Sequence, residues 1–232
     1  MKSSKLIQLL FLVLCVFGCE QPGLVSQNKE LKEQLEKIQA KKRSDQRLGQ
    51  YTLNMIAVAE RSLPKDKRLS DAHKQILANT IVKVVNDVFN KKEQKHAFIA
   101  ILAIESRFQK FAQSPTGPKG LAQVSKTAFK DAMKYCGIGN YTASDVWNEE
   151  LNLYAGACYF RHQLQLSNND IFEALISYNQ GPYSTSAKNY ARNGTLDKIE
   201  PLKYIAKFTY LKQKMTDMKS VKRHVVNDLV KK

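Results

Sequence analysis

Residues Ala97–Ile104 are eight apolar side chains in an unbroken run, and the ninth is a carboxylate, Glu105. A run without a polar position has no solvated face, so the chain must build a core around it. Its length leaves a buried strand and a buried helix both open; three alanines among the eight favour the helix. The rest of the chain can supply such a core. Of 232 residues, 43% are hydrophobic and 25% charged, a balance that excludes a disordered or collagen-like chain. Ten Gly and six Pro are too few to punctuate an all-β design.

Helical signals recur on both sides of the run. Ser70-Asp71 is a capping pair, followed by Leu77, Ile81, Val84, Val85 and Val88 at three- and four-residue steps. Residues 112–124 read as a loop around Ser114, Pro115, Gly117, Pro118 and Gly120. Ser125 caps a helix to about Tyr135, and 137–147 is again loop. A helix over about 148–166 carries Leu151, Ala155, Cys158 and Leu164 on one side. Asn168-Asn169-Asp170 is a turn and cap before the apolar segment Ile171–Tyr178, which Gln180-Gly181-Pro182 stops. Two more helices fit around 184–192 and 200–217. Upstream, Leu24, Leu31, Leu35 and Ile38 predict one short amphipathic helix in a polar stretch, and 51–70 is ambiguous, with a basic cluster at Lys65, Lys67 and Arg68. The fold class is mainly α.

Glu105 is the anomaly in this pattern. On a helix its neighbours three and four residues away are Ile101, Leu102 and Phe108, an apolar surround that disfavours the charged carboxylate. The negative end of the helix dipole acts in the same direction. Both raise the pKa, as a general acid working near neutral pH requires. The alternative is that the helix simply ends and Glu105 is solvated. The other acids, Asp131, Asp145, Glu149, Glu150, Asp170 and Glu173, fall in caps or on helix faces where solvation is the ordinary expectation.

Four short motifs stand in order around this residue: Ile104-Glu105-Ser106-Arg107-Phe108; Ser114 in its Gly/Pro loop; Gly120-Leu121-Ala122-Gln123; and Ser177-Tyr178-Asn179-Gln180-Gly181-Pro182. Together they resemble the soluble lytic transglycosylase (SLT) family. Its lysozyme-like helical domain is similar to goose-type lysozyme and cleaves the MurNAc–GlcNAc bond of peptidoglycan. The eighteen-residue step from Glu105 to Gln123 matches the family's step from acid to glutamine. Asn152-Leu153-Tyr154-Ala155-Gly156 resembles the Asn-x-x-x-Gly of its middle helix, and Tyr204-Ile205 its closing helix. The likeness covers about 95–213.

It implies that Glu105 is the catalytic acid and later the base, giving 1,6-anhydroMurNAc ends. It further implies that Ser106 holds the carboxyl or the substrate, that Gln123 contacts sugar, and that Tyr178 steers the carboxyl or the C6 hydroxyl. Asn179 would bond an N-acetyl group, and Asn152 would either touch substrate or fix the middle helix. Ala122 stands where the family usually has Met, and Ser177 where it usually has Ala. The alternatives are a muramidase that uses water and a peptidoglycan-binding lipoprotein that does not cut.

The N-terminus reads as an address. Lys2 and Lys5 precede a short apolar run from Leu6 to Gly18, the pattern of an export signal, too short and interrupted for a membrane span. Val16-Phe17-Gly18-Cys19 resembles a lipobox, which implies a signal over 1–18, a lipidated Cys19 and a polar tether over 19–50. The expected order continues with a helical extension over 51–94, the SLT domain over 95–213 and a basic tail over 214–232. The net charge of +16 asks for an anionic partner, and export demotes nucleic acid in favour of lipid headgroups and cell-wall polymers. The expected location is extracytoplasmic, on the outer membrane where the cell has one. Cys136 and Cys158 remain, free to bridge in an oxidising compartment or to sit as small buried side chains. His73, His96, His162 and His224 are scattered, so no metal and no cofactor are expected.

Overall fold

The computed structural model describes residues 22–230 apart from 140 and 197. The expected signal and the lipobox cysteine, Cys19, lie outside the described residues. The chain divides into two units, 1–46 and 47–232. The helices are α1 (Pro22–Ala59), α2 (Asp71–Val88), α3 (Lys92–Glu105), α4 (Lys126–Tyr135), α5 (Glu149–Leu166), α6 (Ile171–Gln180), α7 (Thr185–Asn193) and α8 (Ile199–Val230), with short 3₁₀ turns over Glu60–Ser62, Lys65–Lys67 and Ala143–Trp147. Among the described residues the only β pairing is isolated bridges, at Lys119 with Gln113 and with Val124.

In the first unit Leu31, Leu35 and Ile38 form a stripe on α1, and all three are exposed. Two helices run longer than the sequence predicts. α1 reaches Ala59 because residues 39–59 hold no Pro and a single Gly, and it buries Leu48, Tyr51, Met55 and Ile56 on its last turns. α8 reaches Val230 rather than stopping near 217, for after Pro201 in its first turn no Gly or Pro interrupts a lysine-rich, helix-favouring sequence. The 137–147 loop contains the 3₁₀ turn Ala143–Trp147, opened by a reciprocal cap between Thr142 and Asp145.

The caps read from the sequence are made. Ser70 accepts from the His73 amide, Ser125 from Ala128, and Asp170 from Glu173. The apolar run is α3, with Ala97 to Ala103 all buried. α5 is the hub, packed against α2, α4 and α6, and α8 closes over α3 and α6. Because it is surrounded, α5 buries more than one face: Asn152, Leu153, Ala155, Gly156, Ala157, Cys158 and Phe160 are all enclosed. Cys136, the C-cap of α4, is disulfide-bonded to Cys158 of α5, with Cα atoms 6.0 Å apart.

Candidate active site

Glu105 is the last residue of α3. The turn that ends the helix is unusual, because Arg107 and Phe108 both have positive φ, 51° and 62°. Non-glycine residues there cost on the order of 1 kcal/mol each and persist only when other contacts hold them. Here Ser106 holds them. Its hydroxyl donates to the Leu102 carbonyl (3.1 Å) and accepts from the Phe108 amide (3.1 Å), while the Phe108 ring is fully buried. The consequence is a carboxyl projected from a fixed helix end.

Glu105 is half-buried, and its Oε1 accepts from the Tyr204 hydroxyl of α8 at 2.8 Å. Burial lifts its pKa from 4.5 to about 7, against a smaller opposing pull from the Tyr204 hydrogen bond and the positive charge of Lys207. Desolvation therefore wins over two groups that favour the charged form. Tyr204 is itself buried, and burial together with the Glu105 charge drives its pKa well above the ordinary tyrosine value. It stays protonated and can only donate to the carboxylate. The carboxyl opens on a cleft of about 690 Å³ lined by Leu63, Lys67, Leu69 and His73 and by residues 104–107 and 109–113.

The loop 119–124, bonded to Ala112 of the cleft lining, is held by three side chains. Asn152 of α5 is 1% exposed; its Oδ1 accepts from the Ala122 amide (2.9 Å) and its Nδ2 donates to the carbonyls of Lys119 (3.1 Å) and Val146 (2.9 Å). Asn152 thereby satisfies its buried amide while tying residues 119–122 and Val146 to α5. Tyr178 of α6 is buried and donates to the Ala122 carbonyl at 2.7 Å, so its proton goes to the loop and not to Glu105. Gly156 lets α5 approach: a Cβ there would lie 2.3 Å from the Ala122 Cβ and 3.2 Å from the Tyr178 hydroxyl. Gly120 is needed twice over, with φ +77° and with the Asn152 amide 2.3 Å from where its Cβ would be.

Gln123, at φ 46°, donates its side-chain amide to Ala112 (2.8 Å) and Gly120 (2.9 Å). Both hydrogens are thereby used, and the carbonyl oxygen is what it can offer to a ligand hydroxyl. Asn179 is half-buried at the end of α6 and accepts from the Gln180 side chain.

The structure thus brings Glu105 and Ser106 to the cleft and joins Gln123, Asn152 and Tyr178 through one loop, tied by Gln123 to Ala112 in the cleft wall. Ser106 acts through the turn rather than by reaching outward. The phenol on the acid, Tyr204, lies 99 residues from it and was expected only as part of a closing helix. Among the described residues no group of His, Cys, Asp and Glu is placed to hold a metal ion, and no helix is long and apolar enough to cross a membrane.

Residues 88–200 match the family described as the transglycosylase SLT domain. No curated protein matches the chain. Among solved structures it is similar to an inactive mutant of the lytic transglycosylase Slt from Pseudomonas aeruginosa, at 20% identity and a TM-score of 0.51. That likeness covers 59% of this chain and 24% of the Slt chain, so this chain spans about a quarter of the longer protein and shares with it the fold.

Proposed function

Because residues 88–200 are a transglycosylase SLT domain of lysozyme-like fold, we propose that this chain is a peptidoglycan lytic transglycosylase that cuts the MurNAc–GlcNAc β-1,4 bond without consuming water. The observation that carries the proposal is the Glu105 carboxyl. It opens on a cleft, Tyr204 fixes one oxygen, and its pKa of about 7 keeps both protonation states accessible at neutral pH.

In the proposed reaction Glu105 donates its proton to the glycosidic oxygen as the bond to C1 breaks. The substrate's own N-acetyl oxygen shares the positive charge left at C1. Glu105, now a carboxylate, takes the proton of the C6 hydroxyl, and O6 closes on C1. The product is a 1,6-anhydroMurNAc end, and Glu105 has regained its proton. Glycosidases that use water ordinarily need a second carboxylate. Among the described residues lining the cleft Glu105 is the one carboxylate, which favours the route with one group. Gln123 is assigned the sugar contact and Asn179 an N-acetyl contact. Ser106 holds the turn after Glu105, and Asn152 and Tyr178 hold the loop that carries Gln123.

The test is mass spectrometry of muropeptides released from purified peptidoglycan. Anhydro ends from the wild type and none from Glu105→Gln are expected. Reducing ends would move the chain to the muramidases, and release by the variant would remove Glu105 from the mechanism. Lipidation at Cys19 and a place on a membrane facing the wall belong to the same proposal. Labelling by a fatty-acid analogue, lost in Cys19→Ala, tests them.

A further inference from the structure

The matched domain begins at residue 88, yet one wall of the cleft is built from residues 63–73. That wall is a constructed one. Glu60 is 2% exposed, and its carboxylate accepts from the Leu69 amide at 2.6 Å and pairs with Lys74 at 3.1 Å. Arg68 closes the same loop from its other end, donating to the carbonyls of Leu63 (3.1 Å) and Arg61 (3.5 Å). Two short 3₁₀ turns fill the span between. The result is an arm over 60–69, pinned to α2, that presents Leu63, Lys67 and Leu69 to the cleft.

Arg107 and Lys110 share the lining with the arm, and Lys110 lies over the Phe111 ring at 5.6 Å. The described lining therefore holds three basic side chains, Lys67, Arg107 and Lys110, and one carboxyl, that of Glu105. His73 also lines it and is turned to Glu149 at 3.7 Å. Uncharged sugars give such a surface nothing to neutralise. Peptide stems do, since they carry free carboxylates and hang from the lactyl group of MurNAc, the sugar whose bond Glu105 would break. Leu63, Leu69 and Phe111 offer apolar contacts for the alanyl methyls of a stem.

We propose that the arm is a stem-peptide wall, and that Lys67 with Arg107 and Lys110 binds the free carboxylates of the peptide next to the bond being cut. This rests on the proposed transglycosylase reading and goes beyond it by making the preferred substrate a peptide-bearing strand.

The experiment uses the full chain and three strands: intact, carboxyl-blocked as methylamides, and stripped of stems so that only the lactyl carboxylate remains. The wild type is expected to cut intact strands roughly tenfold faster than either of the others, given about two- to fivefold for each contact in a partly open cleft. Lys67→Gln and Lys110→Gln should each shrink that ratio, and the double variant should bring it close to one. Lys65→Gln, on the same arm but not in the lining, should leave it alone.

Equal rates on all three strands, a ratio untouched by the Lys67 and Lys110 changes, or an equal loss in Lys65→Gln would overturn the wall. Stripped strands cut as fast as intact ones would assign the cations to the lactyl group and overturn the stem. Absence of cutting on every strand would count against the transglycosylase reading. Co-sedimentation of the chain with intact and carboxyl-blocked sacculi would then decide the wall by itself, with preference for intact sacculi supporting it and equal binding refuting it.

Discussion

Replacing Glu105 by Gln should stabilise the protein while silencing it, and the gain should depend on pH in one direction. The carboxyl titrates at about 7 in the folded chain against 4.5 for the group in its ordinary setting. The folded state therefore holds the proton more tightly than the unfolded state. Below pH 4.5 both states are protonated and the residue has no differential effect. As pH rises from 4.5 to 7 the unfolded chain ionises freely, while the folded chain keeps its proton or buries a charge. The wild type loses stability across that window, and above 7 the loss is complete. The interval corresponds to ~3 kcal/mol, an upper figure because the side chain is only half-buried. Gln keeps an oxygen for the Tyr204 hydroxyl and has nothing to ionise. Urea unfolding of both proteins at pH 4.5 and pH 8 isolates the term, since every other titrating group is common to both. The variant's advantage should grow from near zero to ~2–3 kcal/mol, or roughly 4–12 °C in Tm for a chain of this size. An advantage constant with pH, or a wild type that gains on the variant as pH rises, would refute the claim that Glu105 is held neutral by burial.

Three further outcomes follow. Tyr204→Phe removes a hydrogen bond that favours the carboxylate, so the alkaline limb of kcat/KM should move up by about one pH unit, with a rate loss of roughly tenfold from lost orientation; an unmoved limb would remove Tyr204 from the site. The Cys136–Cys158 bridge spans 22 residues, and its replacement by two alanines should cost ~3 kcal/mol in denaturant, with reductant then affecting the wild type alone. Gly156→Ala places a methyl 2.3 Å from Ala122 and should cost ~1–3 kcal/mol, part of which Ala122→Gly returns in a double-mutant cycle; additive effects would mean that the two residues do not meet as described.

What the sequence disclosed was local. The buried helix, its terminal acid and three of the caps could be read because periodicity and capping act within a few residues. The Asn152 and Gly156 pattern was also visible, but which loop they act on was not: one residue ties its backbone and the other admits it. Tyr204 was hidden for a physical reason. A tyrosine on an amphipathic helix has the same local signature whether it fills a core or touches an acid 99 residues away, and only the packing of α8 on α3 decides. Glu60 was hidden in the same way, as a carboxylate whose partners at 69 and 74 bend back to it through a turn without a repeating period. The capping box at Thr142 and Asp145 is legible in the sequence as a Thr with an acid three residues on, inside a stretch whose composition otherwise predicts loop.

The unfavourable backbone angles give these scattered residues a common purpose. Arg107, Phe108 and Gln123 all have positive φ, and they lie on the two segments that carry the acid and the proposed sugar contact. Each angle costs on the order of 1 kcal/mol, so the turns would relax if nothing opposed them. Ser106 and the buried Phe108 ring oppose it on one segment; Asn152, Tyr178 and the Gln123 amide oppose it on the other. That explains why several residues expected at the substrate face inward instead. The proposed proton transfer to a glycosidic oxygen tolerates little error in where the carboxyl sits. Groups that hold the backbone against its own preference are as necessary to that placement as the group that moves the proton. Ala122 is the clearest case. A small side chain where the family usually carries Met gives Gly156 and the Tyr178 hydroxyl room to close on the loop, so the departure costs no chemical group.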